Sequence, residues 1–209
     1  MHIGDGFLPT PVWVAGYGAA GALTLVSLPA LVRTSAPRVA MITSAFFVAS
    51  LLSFPLGPTS VHLVLVGLSG VVLGRAAFVS VLVGVALQLL MFRFGAWTTL
   101  GLNAFNMGAG ALCAGAVFHG LPRPRRAWLR GALAGFLGTL TALLCFAAAM
   151  LSAGEGLRAV AWASIGFHAP VLIVEALVTA QAVAFLERVR PELLGPGARA
   201  EAPGQPVPS

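Results

Sequence analysis

Long apolar runs separated by short loops dominate this sequence and restrict what it can fold into. The chain has 209 residues, of which 58% are hydrophobic and only 9% are charged, whereas a soluble domain carries roughly 25% charged residues. A helix needs about 20 apolar residues to cross a bilayer, and several runs approach or exceed that length. The sequence therefore predicts one compact domain that lies almost entirely in a membrane.

The apolar runs are expected to be helices, because a closed β-barrel would show alternating apolar and polar residues. The predicted fold class is an all-α membrane protein, a bundle of about seven transmembrane helices. The predicted spans are 11–32, 39–54, 61–74, 76–92, 98–120, 129–152 and 160–187. The third run is short for a full span, so we expect it to be tilted, broken or only partly spanning.

The arginines predict how the chain is oriented in the membrane. Ten of the twelve basic residues fall in alternate loops and in the tail, and the remaining loops hold only Arg93 and Arg158. The positive-inside rule then places the amino terminus outside and the carboxyl terminus in the cytoplasm. The net charge of +6 does not indicate nucleic-acid binding, because the arginines lie between apolar runs and form no single face.

Three regions follow from this pattern. Residues 1–10 are predicted to be a metal-binding amino-terminal segment, 11–190 a transmembrane helical domain and 191–209 a disordered cytoplasmic tail, since the tail is rich in proline and glycine. No positively charged leader or cleavage site is recognised at the start. We therefore expect the first run to be retained and Met1 to be the mature terminus.

The opening Met1-His2 offers three nitrogens to one metal ion. The α-amine and the His2 amide close a five-membered chelate ring, and the amide and the His2 Nδ1 close a six-membered ring. Such a nearly planar set suits Ni(II) or Cu(II), and Co(II) is plausible, whereas Zn(II) prefers a tetrahedron. The arrangement requires an unblocked Met1 and a deprotonated amide.

His62 is the best candidate for a fourth nitrogen ligand. It follows the second predicted span, at a junction that faces the same outer side as Met1. His119 lies near the cytoplasmic face, and His168 lies some turns below the outer end of the last span. The alternative for each histidine is an ordinary interfacial or hydrogen-bonded role.

Several polar residues interrupt the apolar runs, and polar groups at membrane depth need partners. Asn103, Asn106 and Gln88 have two interpretations: hydrogen bonding between helices, or a polar lining that holds the amino-terminal segment or His62 in place. His168 and Glu175 lie seven residues apart, so they share a helical face. Glu175 is expected to pair with an arginine or histidine of a neighbouring helix, or else to take part in ion passage.

Four blocks of the sequence resemble the signature regions of the CbiM/NikM family, the substrate-binding membrane components of energy-coupling-factor (ECF) cobalt and nickel importers. The blocks are MHIGDGFLPTPVW, FPLGPTSVHL, TTLGLNAFNMGAGAL and HAPVLIVEALVTA…FLERVRPELL, and the resemblance runs from residue 1 to about 194. It implies a seven-span protein of the bacterial or archaeal cytoplasmic membrane, whose amino terminus inserts into an outward-facing pocket. There it binds Ni(II) or Co(II), the transported ligand, through Met1, His2 and His62.

The resemblance also implies partners. They are a transmembrane coupling subunit, two cytoplasmic ATPases and commonly a small accessory membrane subunit. The chain itself has no GxxxxGK[ST] motif, so it is not expected to be an enzyme. Thr59 and Ser60, just before His62, join the candidates for supporting the site or lining a pathway.

The sequence departs from the family pattern at two places. Gly4 stands where the family often has proline, and Arg93 to Trp97 replace a His-Gly-Gly-like element. Two other functions remain as alternatives. One is an intramembrane enzyme with His168 and Glu175 as an acid–base pair, and the other is a membrane assembly subunit without a ligand.

Overall fold

The structure is a computed structural model that describes residues 2–56, 59–122 and 126–195, with the backbone alone for 53–56 and 59–61. The described chain forms seven α-helices and one two-stranded hairpin. The helices are α1 Thr10–Val32, α2 Ala36–Ala49, α3 Val66–Leu73, α4 Ala77–Phe92, α5 Leu100–Gly120, α6 Ala127–Ser152 and α7 Arg158–Val189, and the strands are β1 Ser53–Leu56 and β2 Thr59–His62. Short 3-10 turns occupy Gly74–Ala76, Glu155–Leu157 and Pro191–Leu194.

The helix boundaries follow from local backbone chemistry. Prolines stand in the first turns of α1 and α2, where a missing N–H costs no helical hydrogen bond. Gly74, with a φ of +54°, separates α3 from α4. Such positive φ values suit glycine because it has no Cβ.

Five of the described helical segments are long and apolar enough to cross a membrane. They are Thr10–Val32, Val66–Phe92, Leu100–Gly120, Ala127–Ser152 and Glu155–Val189. Ala36–Ala49 is apolar but has only 14 residues. The predicted helical membrane bundle is therefore confirmed, while the count of seven spans and the orientation of the termini stay predictions.

The predicted boundaries of the second and third spans are wrong. We expected helix over 39–54 and 61–74, but α2 ends at Ala49 and a hairpin intervenes before α3. Its antiparallel register pairs Ser53 with His62 and Leu56 with Thr59. Short apolar runs do not distinguish a strand from a helix by periodicity, and the proline and glycine of FPLGPT were the available turn signal.

Close helix contacts at small residues hold the bundle together. A Cβ on Gly67 of α3 would lie 2.5 Å from the Cα of Gly135 on α6. A Cβ on Gly110 of α5 would lie 2.5 Å from the carbonyl oxygen of Gly138 on α6. Small residues at such crossings let helix backbones approach within van der Waals contact, and α6 packs most extensively against α5 and α7.

The last described residues pack against the bundle. The guanidinium of Arg38 on α2 donates to the carbonyl oxygen of Leu193 in the final 3-10 turn. The packed part of the chain thus extends past residue 190, where the tail was predicted to begin. Residues 196–209 of the predicted tail lie outside the described residues.

Candidate metal centre

The amino-terminal segment is held inside the bundle through the backbone of Ile3. The Ile3 N–H donates to Oδ1 of Asn103 at 3.0 Å. The Ile3 carbonyl oxygen accepts from Nδ2 of Asn103 at 3.1 Å and from Oγ1 of Thr99 at 2.6 Å. Asn103 and Thr99 lie at the start of α5 and are each 1% exposed. One amide and one hydroxyl therefore satisfy both backbone groups of Ile3.

The loop between α4 and α5 closes around this segment. Gly95 has a φ of +86°, and a Cβ there would lie 2.7 Å from Nδ2 of Asn103. Any larger residue would press on the amide that binds Ile3, so the loop needs glycine here. Further along, the Thr98 hydroxyl donates to the carboxylate of Asp5 at 2.7 Å.

A chain of hydrogen bonds fixes the tautomer of the His2 ring. Nε2 of His2 lies 2.7 Å from Oε1 of Gln88. The Gln88 amide donates through Nε2 to Oγ of Ser50 at 2.8 Å, and Ser50 donates to the carbonyl oxygen of Phe47. Because the carbonyl of Gln88 faces the ring, Nε2 of His2 is the donor. Nδ1 therefore carries the lone pair, as chelation with the His2 amide requires.

The His62 ring lies against the His2 ring. The two ring centroids are 5.0 Å apart with an interplanar angle of 28°. Nδ1 of His62 lies 3.1 Å from the carbonyl oxygen of Leu63, so Nδ1 is the donor and Nε2 carries the lone pair. The Phe94 ring, with its centroid 5.6 Å from that of His2, covers the site from the α4–α5 loop.

The surroundings keep both imidazoles neutral. Desolvation, followed by the positive charge of the amino terminus, lowers the pKa of His2 from 6.5 to about 3, with the Gln88 hydrogen bond acting in the opposite direction. Desolvation and the same positive charge also lower the pKa of His62 well below 6.5. A neutral imidazole is the form that binds a metal ion, so neither ring has to lose a proton first.

His168 and Glu175 bond to backbone groups and not to each other within the described residues. Nδ1 of His168 donates to the carbonyl oxygen of Ser164 at 2.7 Å, and its buried Nε2 has no partner there. Oε1 of Glu175 accepts from the N–H groups of Val64 and Leu65. The expectation that Glu175 pairs with an arginine or histidine is therefore wrong, because the loop after His62 supplies two otherwise unsatisfied N–H groups instead.

Of the remaining candidates, the structure describes the side chain of Asn106 but not those of three other residues. Asn106 is 1% exposed, and neither polar atom of its amide has a partner within the described chain. Met1 and the side chains of Thr59 and Ser60 lie outside what the structure describes.

Sequence reasoning missed three parts of this centre. It did not identify Thr99 as a support for Ile3, Ser50 as the group that orients Gln88, or Phe94 as the cover over His2. The available signal for Ser50 and Thr99 was a hydroxyl next to an apolar helix, which is too common to single out.

The imidazole rings of His2 and His62 lie next to each other at the amino-terminal segment. Among the described residues, no group of three His, Cys, Asp or Glu side chains is placed to hold a metal ion. Imidazole and amide nitrogens in one plane favour Ni(II) and Cu(II) among divalent ions.

Comparisons with known proteins agree with this description. The family model described as "CbiM: Cobalt uptake substrate-specific transmembrane region" matches residues 2–193. A putative metal transport protein of Haemophilus influenzae is 34% identical over 200 residues, covering 93% of this chain and 97% of that protein. A fused nickel transport protein NikMN of Rhodobacter capsulatus is 31% identical over 97% of this chain and 66% of its own length.

A solved structure shares the fold. The crystal structure of a transition metal transporter superposes with a TM-score of 0.78 and 21% identity, covering 90% of this chain and 93% of that one. The resemblance drawn from the four sequence blocks is confirmed by these matches.

Proposed function

Because the chain belongs to the CbiM family of cobalt uptake substrate-specific transmembrane regions, we propose that it is the substrate-capture permease subunit of an ECF-type ABC importer. Its substrate is a divalent transition-metal ion, Ni(II) or Co(II). The family description supports cobalt, and the fused nickel transport relative supports nickel. The protein captures the ion from outside the cell and does not itself carry out a reaction.

The proposed site is a square of four nitrogens. They are the Met1 α-amine, the His2 amide, Nδ1 of His2 and Nε2 of His62. The observation that carries this proposal is the 5.0 Å stacking of the His2 and His62 rings, each with its other nitrogen hydrogen-bonded. Those bonds orient the ligands and leave the chelating lone pairs on the nitrogens that the square needs. Binding releases the amide proton and one amine proton.

We further propose that the chain crosses the membrane seven times, with its amino terminus outside. The contacts of the helix ends support alternating directions. Ser50 at the end of α2 and Phe94 after α4 both belong to the surroundings of His2. Arg38 at the start of α2 meets Val72 near the end of α3 and Leu193 after α7. The ten-to-two distribution of arginines supports placing that second end in the cytoplasm.

The partners follow from the family and from the absence of a nucleotide-binding motif in the sequence. ATP hydrolysis is assigned to two cytoplasmic ATPases that act through a transmembrane coupling subunit. A small accessory membrane subunit is also proposed, because the Rhodobacter relative is a fused NikMN protein. The cytoplasmic membrane of a bacterium or archaeon is the proposed location.

No observation favours the intramembrane enzyme. His168 and Glu175 are each committed to backbone groups, so they do not form an acid–base pair in the described chain. Metal binding distinguishes the two remaining hypotheses: the proposed capture subunit binds Ni(II) or Co(II), and an assembly subunit without a ligand does not.

Native mass spectrometry of the purified full chain, with and without Ni(II), tests the site. We expect one bound ion with an unmodified Met1, and loss of that ion in His2→Ala and in His62→Ala. His119→Ala is the matched control, because His119 bonds to the carbonyl of Val71 near the other end of α5. Full affinity in both site variants would refute the proposed ligands.

A second experiment isolates the amine. One residue added before Met1 converts the primary amine into an amide and leaves every side chain in place. We expect tight Ni(II) binding to be lost while the protein stays folded. Unchanged binding in the extended chain would remove the amine from the site.

A further inference from the structure

A cavity of about 750 Å³ lies away from the His2 centre. Its walls come from the last turns of α1, the start of α2, the turn between α3 and α4, and the second half of α5. None of the residues that hold Ile3 or His2 lines this cavity. It is therefore a separate feature of the bundle.

The cavity lies at the opposite end of the bundle from the His2 centre. α1 begins directly after the amino-terminal segment, and α5 begins at the side chains that bind Ile3. Both helices reach the cavity only near their carboxyl ends, at Val26–Thr34 and at Leu112–His119 respectively. At 1.5 Å per residue, the 23 residues of α1 extend about 34 Å, which is close to the thickness of a membrane core.

Three arginines give the cavity its charge. Arg33, Arg38 and Arg75 line it, and no aspartate or glutamate is among its described lining residues. Glu192 lies in the neighbouring 3-10 turn, where its carboxylate pairs with Arg190 at 3.3 Å and also interacts electrostatically with Arg38. One carboxylate outside the cavity therefore faces three arginines in its wall. The cavity thus presents concentrated positive charge to whatever enters it.

Two buried polar groups in this wall lack a partner among the described residues. Arg38 is 8% exposed, and its Nη2 donates to the carbonyl oxygens of Val72 and Leu193, while its buried Nε is unpaired. Ser27 is 1% exposed, and its Oγ is also unpaired. Buried donors without acceptors are costly, so an oxyanion in the cavity would satisfy groups that the protein itself leaves open.

The mouth of the cavity is apolar on its membrane side. Val26 of α1 lines it and is 51% exposed, and Val32, further along the same helix, is 84% exposed. In a chain that spans a membrane, such side chains contact lipid acyl chains. A ligand with an anionic head and apolar tails matches both the arginines of the cavity and the apolar face of α1. A free anion matches only the arginines.

We propose that this cavity binds the headgroup of an anionic phospholipid. The guanidinium groups of Arg33 and Arg75 and Nε of Arg38 donate to the phosphate oxygens, and Ser27 donates from deeper in the cavity. The acyl chains lie along the exposed face of α1. Basic pockets between transmembrane helices bind anionic headgroups in this way. The inference goes beyond metal capture and depends only on the chain being a membrane protein.

Native mass spectrometry of the delipidated full chain tests the proposal, with phosphatidylglycerol and phosphatidylcholine as probes. The variant is Arg33→Gln with Arg75→Gln, since both side chains are exposed and their loss leaves the buried Arg38 in place. The matched control is Arg126→Gln with Arg188→Gln, which removes the same charge from exposed arginines outside the cavity. Thermal unfolding midpoints close to that of the wild type show that both variants fold.

We expect wild type and control to bind one phosphatidylglycerol more tightly than phosphatidylcholine, and the cavity variant to bind it roughly tenfold to thirtyfold more weakly. Equal affinity in wild type and cavity variant would overturn the proposal. So would an equal loss in the control, which would indicate general charge attraction.

Thermal unfolding with inorganic phosphate separates the two sources of the oxyanion. Stabilisation by phosphatidylglycerol and not by phosphate supports a lipid. Equal stabilisation by free phosphate would show a soluble-anion site instead. Equal binding of phosphatidylglycerol and phosphatidylcholine would exclude a specific site for anionic lipid. The arginines would then be assigned to binding a protein partner.

Discussion

At the scale of single residues, Gln88 has the most specific role around the candidate metal centre. Its carbonyl accepts from Nε2 of His2, and its amide donates to Ser50, so the carboxamide has one orientation. It is fully buried on α4. A residue that touches no metal in the proposed site thereby decides which His2 nitrogen is available to the ion.

Gln88→Leu is predicted to weaken Ni(II) binding by roughly tenfold to a hundredfold, because the tautomer and orientation of His2 are no longer fixed. Isothermal titration of the purified protein measures this. Gln181→Leu is the matched control, since Gln181 is exposed on α7. Equal affinities in the two variants would contradict the role assigned to Gln88.

The two neutral imidazoles also predict how stability changes with pH. The pKa of His2 is lowered to about 3 and that of His62 well below 6.5, so below pH 6.5 the unfolded chain binds more protons than the folded one. Stability is therefore complete above pH 6.5 and falls as the pH falls. The slope is at most about 1.4 kcal/mol per pH unit for each ring.

Thermal unfolding of the metal-free protein between pH 7.5 and 4.5 checks this sign. His2→Gln is expected to flatten the profile, because the contribution of the His2 ring is gone. An identical pH profile in the wild type and in His2→Gln would show that the His2 ring is not held neutral in the folded protein.

At the scale of elements, α7 fixes the loop that carries His62. Glu175 accepts hydrogen bonds from the N–H groups of Val64 and Leu65, and Leu65 has a positive φ of +50° just before α3 begins. The carboxylate thus holds the two residues that lead into α3. Because only Leu63 separates His62 from the first of these N–H groups, a change in this contact also displaces the His62 ring.

Glu175→Gln is predicted to keep both folding and metal uptake, because the side-chain carbonyl oxygen of glutamine still accepts from the N–H groups of Val64 and Leu65. Glu175→Leu is predicted to destabilise the protein by about 1–3 kcal/mol for each orphaned N–H and to reduce Ni(II) binding. Thermal unfolding and cellular uptake measure the two effects. Loss of uptake in a stable Glu175→Gln protein would instead require an ionised carboxylate.

The elements also show what could be predicted from sequence. Apolar length alone located α1, α4, α5, α6 and α7, because a membrane span is set by bilayer thickness. The hairpin was not predicted, since a strand of four residues leaves no periodicity to read, whereas the short α3 lies inside the run predicted as a short third span. The opening His2 and His62 were identified from nitrogen chemistry and family resemblance, but their supports Ser50 and Thr99 depend on how the helices pack.

At the scale of the whole molecule, the two ends of the bundle differ in chemistry. One end gathers the imidazoles of His2 and His62 near the buried Ile3, and the other gathers arginines around a cavity. Seven alternating crossings would connect them, with α2 and α3 as the two short members. The number of crossings decides whether the termini lie on the same side.

Cysteine labelling in whole cells tests this topology, in a background in which Cys113 and Cys145 are replaced by alanine. Leu52→Cys and Gly156→Cys are predicted to react with an impermeant reagent from outside. Arg75→Cys and Arg188→Cys are predicted to react only after the membrane is permeabilised. Labelling of Leu52→Cys from the inside would mean that α2 does not cross, and the count would fall below seven.

The grip on Ile3 has a consequence for timing. Three hydrogen bonds hold Ile3 against the start of α5, so binding of an ion at the proposed site would need little rearrangement of this segment. The same contacts would slow release of an ion from the proposed site, because the amino-terminal segment cannot move away until Asn103 and Thr99 release Ile3. The time that an ion stays bound at the proposed site should therefore depend on how often this short segment dissociates from α5.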